Sequence, residues 1–87
     1  MAAAEQDGIK LTLYSRTYCH LCDDMMAGLR ILQARFHFEL NVVDVDADES
    51  LEARYGEDVP VLTHGLVELC RHRLNSPRVT DYLAEIG

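Results

Sequence analysis

The feature that most restricts this chain is a change of rhythm across "IKLTLYSRTYCHLCDD", where residue alternation gives way to helical spacing just as two cysteines appear. In "IKLTLYS" the apolar Ile9, Leu11 and Leu13 alternate with Lys10, Thr12 and Tyr14, the period-2 pattern of a strand. From His20 onward Leu21, Met25, Leu29, Leu32 and Phe36 recur at intervals of four and three, one stripe of an α-helix. Asp23 and Asp24 fall in its first turn, where carboxylates suit the positive end of the macrodipole and are expected to serve as caps. Cys19 is therefore expected at the start of the helix, with Cys22 almost one turn further in.

The remaining elements follow from the same rules. "FHFELNVVDVD" is rich in Phe and Val and predicts a second strand running into an acidic turn at Asp46 to Glu49. Ser50 or Asp48 would cap a short helix over "LEARYG", with Gly56 expected to end it in a left-handed conformation. Two short strands, "PVLTH" and "LVELC", flank a tight turn at His64 and Gly65. "NSPRVTDYLAEI" predicts a last helix with Ser76 as N-cap, Pro77 at the first helical position, and Val79, Tyr82, Leu83 and Ile86 on the buried face. The order is β-α-β-α-β-β-α, an α/β chain. A strand-helix-strand opening implies a parallel pair, and the short turn makes the last two strands antiparallel. The expectation is a four-stranded mixed sheet flanked by three helices. At 87 residues the chain has room for one domain, residues 1–87, with residues 1–8 expected as a flexible N-terminal extension.

A formal net charge of -7 argues against nucleic acid as a partner, since binding phosphates requires clustered Lys and Arg. It does not favour an anionic membrane, and no apolar run is long enough to span a bilayer. "MAAAEQDG" lacks the cationic start and apolar core of a secretory signal, so the expected setting is the cytoplasm, where thiols are held reduced, and the expected state is a monomer. The one basic cluster, "CRHRLNSPR" with Arg71, Arg73 and Arg78, reads as a solvated face or, more sharply, as a docking patch for an acidic partner.

Three chemistries compete for Cys19 and Cys22. A structural zinc site needs four ligands, and the only other cluster, Cys70 and His72, has poor spacing; Cys70 reads as a buried strand residue, and no metal is expected. A disulfide between residues this close would restrict the unfolded chain little. A redox couple fits best: amides at a helix start stabilise a thiolate on Cys19, the nucleophile, and Cys22 can then attack the mixed disulfide that Cys19 forms. His20, when protonated, would favour that thiolate and make the couple more oxidising, and Arg16 would do the same or hold a substrate carboxylate.

Val59-Pro60 stands immediately before an apolar strand. A cis bond there would turn the Val59 backbone outward to pair with an extended substrate; a trans proline would simply start the strand. With "LTLYSRTYCHLCD" and "YGEDVPVL" in this element order, the chain resembles the thioredoxin superfamily, most closely its small glutaredoxin-like proteins. The resemblance spans about Ile9 to Ile86. It implies a dithiol-disulfide oxidoreductase with Cys19 attacking, Cys22 resolving and Pro60 as a facing cis-proline. Tyr18, Asp58, Val59 and Pro60 form the expected substrate-binding set. The implied partner is a disulfide-containing protein or a low-molecular-weight thiol, with no resident cofactor. Glutathione is the co-substrate of the family's Cys-Pro-Tyr-Cys, Thr-Val-Pro and Gly-Gly pattern. Here Asp58 replaces the threonine and the glycine pair is missing, so a glutathione carboxylate would meet repulsion and a more distant backbone. The rival expectation is a non-catalytic thioredoxin-like module that docks a protein at the Val59-Pro60 edge.

Overall fold

The computed structural model describes residues 8–86. All of the expected N-terminal extension except Gly8 therefore lies outside the described residues. Strand β1 (Lys10–Ser15) leads into helix α1 (His20–Gln33); strand β2 (Glu39–Asp44) follows and ends in a single 3-10 turn at Val45–Ala47. Helix α2 (Glu49–Tyr55), strands β3 (Val61–His64) and β4 (Val67–Arg71), and helix α3 (Ser76–Ile86) complete the chain. The sheet order is β2-β1-β3-β4. β1 pairs with β2 in parallel and with β3 antiparallel, and β3 pairs with β4 antiparallel. This is the mixed four-stranded, three-helix arrangement that the pattern of residues implies.

Alternation in β1 sorts the two faces of the sheet. Leu11 and Leu13 enter a core shared with Met25, Leu29 and Leu32 of α1 and with Val79 and Leu83 of α3. On the other face Tyr14 stacks on Tyr55 of α2, ring centroids 4.2 Å apart. Opposite Leu13 in the register lies Leu62, and opposite Leu62 lies Cys70. The β3-β4 ladder slips between Leu62 and Thr63, a bulge whose extra β4 residue, Leu69, also reaches the core.

Several local details depart from the pattern. The α1 stripe is carried by Cys22, Met25, Leu29 and Leu32, while Leu21 is only half-buried and Phe36 lies beyond the helix end. Gly56 is right-handed at φ -54, not left-handed; its place depends on space, because an added Cβ would sit 2.5 Å from the Glu52 carbonyl oxygen. Left-handed geometry appears instead at Gly65, φ +60, where the β3-β4 turn requires it. Asp48, not Ser50, caps α2 by accepting from the Ser50 and Leu51 amides. At α3 the cap is Asn75, whose Oδ1 accepts from the Arg78 amide at 3.1 Å, one residue earlier than expected. Ile86, expected on the buried face, is exposed.

Candidate functional site

Cys19 is the N-cap of α1, with extended backbone at φ -117, ψ 107. Its Sγ accepts the Cys22 amide N–H at 3.1 Å, and its carbonyl accepts the Asp23 amide at 3.0 Å. The cap expected of Asp23 or Asp24 is thus supplied by sulfur; Asp23 sits exposed in the first turn. Physically this is the same bond that a serine or aspartate cap makes, with a more polarisable acceptor. The two cysteines are paired, Cα atoms 5.1 Å apart. Their exposures differ in a useful sense: Cys19 is half-buried, whereas Cys22 is 2% exposed. Of the two sulfur-bearing residues, Cys19 is the more accessible.

The approach to Cys19 is backbone-strained. Tyr18 has φ +60, a region that costs a bulky L-residue about 1–2 kcal/mol, and its side chain is fully exposed. His20, the first helical residue, is also exposed. The loop that carries these residues leaves the sheet where the Pro60 segment enters it. Tyr14 pairs with Val61, so the antiparallel register carried one step further sets Ser15 beside Pro60.

The Val59–Pro60 peptide bond is cis and Pro60 is buried. The Pro60 carbonyl accepts the His72 amide at 2.8 Å, which fastens the loop after β4, itself left-handed at His72 with φ +69. Asp58 pairs with Arg71 at 2.9 Å and lies 3.6 Å from His72 Nε2. Arg71 in turn makes two bonds to Glu68, at 2.7 and 2.6 Å. The guanidinium holds the Glu68 carboxyl below its ordinary range, and the carboxylates hold Arg71 firmly protonated.

The bonding partners of Arg16 lie on the Asp46 turn and around α2. Its guanidinium binds Asp46 at 3.2 and 2.8 Å, Glu52 at 3.1 Å and the Gly56 carbonyl at 2.9 Å. Arg78 donates to the carbonyls of Leu69 and Glu68, at 2.6 and 3.2 Å. Of the basic cluster Arg71, Arg73 and Arg78, two members are thus engaged by the chain itself. Asp46, Glu52 and Glu68 do not stand out in the sequence as part of a site, and Asp58, expected in the substrate-binding set, is ion-paired to Arg71. The one signal for the first pair was the acidic turn itself, which needed a cation from elsewhere. Cys70 is half-buried on β4, and burial raises its thiol pKa. Among the described residues no group of three or more His, Cys, Asp and Glu is arranged to hold a metal ion. No helix among them is long and apolar enough to cross a membrane.

Residues 10–84 match the family described as Glutaredoxin-like domain (DUF836). The chain belongs to this family. Two solved structures are similar to the domain along most of its length. One is a Nitrosomonas europaea protein solved by solution NMR, 43% identical, covering 86% of this chain and 91% of its own, with a TM-score of 0.77. The other is an X. campestris protein solved by X-ray diffraction, 37% identical, covering 86% of this chain and 96% of its own, with a TM-score of 0.66. The germline-specific thioredoxin Deadhead of Drosophila melanogaster is 21% identical, covers 99% of this chain and 87% of its own, and has a TM-score of 0.61. At that identity the likeness is one of fold, and it makes this glutaredoxin-like domain a thioredoxin-fold protein. A search of the curated proteins found no match. The fold, the family and the close cysteine pair together describe a thioredoxin-like protein of redox type.

Proposed function

We propose that this glutaredoxin-like domain is a dithiol-disulfide oxidoreductase whose substrates are protein disulfides. The observation that carries the reading is the 3.1 Å bond from the Cys22 amide to Cys19 Sγ at the first turn of α1. An amide and a helix start aimed at one sulfur stabilise its anion, lower its pKa and so raise the thiolate fraction near neutral pH. In the reduced protein the Cys19 thiolate attacks one sulfur of the substrate disulfide. A Cys19–substrate mixed disulfide forms, and the departing sulfur takes up a proton. Cys22, deprotonated in turn, attacks Cys19 Sγ; the Cys19–Cys22 disulfide forms and the second substrate thiol leaves. Two electrons pass from the dithiol to the substrate, and an external thiol reductant returns them.

The charges favour a polypeptide over glutathione. Arg16, near the motif, and two of the three arginines around the start of the last helix, Arg71 and Arg78, are bonded to Asp46, Glu52, Asp58, Glu68 or backbone carbonyls. A tripeptide with two carboxylates would need such groups free. The half-buried Val59 segment would offer an extended chain main-chain hydrogen bonds that make no demand on charge, and exposed Tyr18 would offer it a ring. His20, on the first helical residue, tunes the thiolate. The proposed setting is the cytoplasm, with the domain acting as a monomer on reduced thiol pools.

The test reduces the protein, alkylates it with iodoacetamide across pH and maps the modified cysteine by mass spectrometry. Cys19 is expected to react first, with a midpoint well below the ordinary cysteine value of about 8.5. In parallel, Cys19→Ser is expected to abolish reduction of insulin disulfides, and Cys22→Ser to accumulate a mixed disulfide on Cys19. A Cys19 that stays protonated above that value, or a Cys19→Ser variant with full turnover, sinks the reading. Unchanged partner binding with no turnover in the wild type would instead support the non-catalytic module.

A further inference from the structure

Arg16 precedes Cys19 by three residues, and Gly56 precedes Pro60 by four. One guanidinium joins these two segments: an Nη donates to the Gly56 carbonyl at 2.9 Å, while Nε and the other Nη hold Asp46 and Glu52. The far end of each segment is a functional group, the nucleophile in one case and the proline edge in the other. Both lie at the same end of neighbouring antiparallel strands, since Tyr14 pairs with Val61.

The surroundings suit a clamp better than a substrate contact. Two carboxylates neutralise the charge of Arg16, so little field is left to act on Cys19 or on an incoming anion. Its fork meets three acceptors on two segments, which an ammonium cannot reproduce. Gly56 leaves the acceptors their room, because an added Cβ would lie 2.6 Å from Glu52 Oε2.

We propose that Arg16 is a positioning residue that sets the separation between Cys19 and the Val59–Pro60 edge, and thereby governs the binding of an extended disulfide-bearing polypeptide. The inference rests on the oxidoreductase reading. It predicts that losing the clamp weakens capture of a polypeptide, which must touch both segments, and spares a small disulfide, which needs the sulfur alone.

The experiment compares Arg16→Gln, Arg16→Lys and the double variant Asp46→Asn/Glu52→Gln with wild type, using insulin and bis(2-hydroxyethyl) disulfide as substrates. All three variants are expected to raise KM for insulin on the order of tenfold. They should leave kcat/KM for the small disulfide and the alkylation profile of Cys19 within about twofold of wild type. The double variant separates the alternatives by sign. Were Arg16 a substrate cation, freeing it would lower KM for oxidised glutathione; were it a charge acting on sulfur, Arg16→Gln would move the Cys19 profile. Either result overturns the proposal. A readout independent of turnover is amide hydrogen exchange at Asp58, whose N–H bonds to the Tyr55 carbonyl at 2.8 Å. Exchange there should speed up in folded Arg16→Gln or Arg16→Lys but not in Arg30→Gln, and unchanged exchange counts against a clamp. Wild type that turns over neither substrate defeats the oxidoreductase reading and leaves the exchange result to judge the clamp.

Discussion

Cys19 and Cys70 show how one side chain takes opposite character from its surroundings. Cys19 caps a helix and receives an amide; Cys70 sits in β4 opposite Leu62, where desolvation disfavours its anion. The sign for Cys70 is that of an acid with a raised folded-state pKa. Folding is unaffected by this thiol well below its ordinary pKa and loses stability as pH rises past it, because the unfolded chain then sheds a proton that the folded one keeps. With Cys19 and Cys22 held as the disulfide, alkylation of Cys70 is therefore expected to rise at higher pH in the native protein than in the denatured chain. Coincident profiles would show that the thiol feels no burial. Tyr18 illustrates a different limit: its exposure and φ +60 are properties of the loop, and no residue pattern announces a tyrosine in left-handed backbone.

At the level of elements, α1 performs two tasks that its sequence separates cleanly. Its first turn presents the sulfurs, and the turns behind bury Met25, Leu29 and Leu32 against Leu11 and Leu13. The second task holds the first in place. Leu29→Ala is expected to cost about 2–5 kcal/mol through lost burial and a residual cavity, whereas Ile31→Ala, at a position 70% exposed, should stay within about 0.5 kcal/mol. Urea unfolding of the two variants decides it; equal effects would mean the buried face is misassigned. By contrast α2 has no buried residue and is held by its Asp48 cap and the Tyr14–Tyr55 stack. Its presence was readable from capping residues alone, but its packing was not.

Over the whole molecule, two charge chains join segments distant in sequence: Arg16 to Asp46 and Glu52, and Asp58 through Arg71 to Glu68. Hydrogen bonds from Arg16 hold the Asp46 carboxyl below its ordinary 3.8. A carboxylate with a depressed folded-state pKa contributes stability above its unfolded value and loses it as pH falls through the folded one. Asp46→Asn is accordingly expected to lower the Tm modestly at pH 7, with the gap to wild type closing as pH drops below the ordinary carboxylate range. A gap that persists in acid would assign the effect to packing. Sequence alone determined the element order, the sheet, and the cysteine pair with its place at a helix start, because each rests on a local period or a spacing within one turn. Which acceptors Arg16 would meet, and that Arg71 and Arg78 of the basic cluster would be taken up by the chain's own acceptors, were decided only by the fold. Those partners stand up to 40 residues apart, and an ion pair's choice of partner depends on distance in space, which no local pattern encodes.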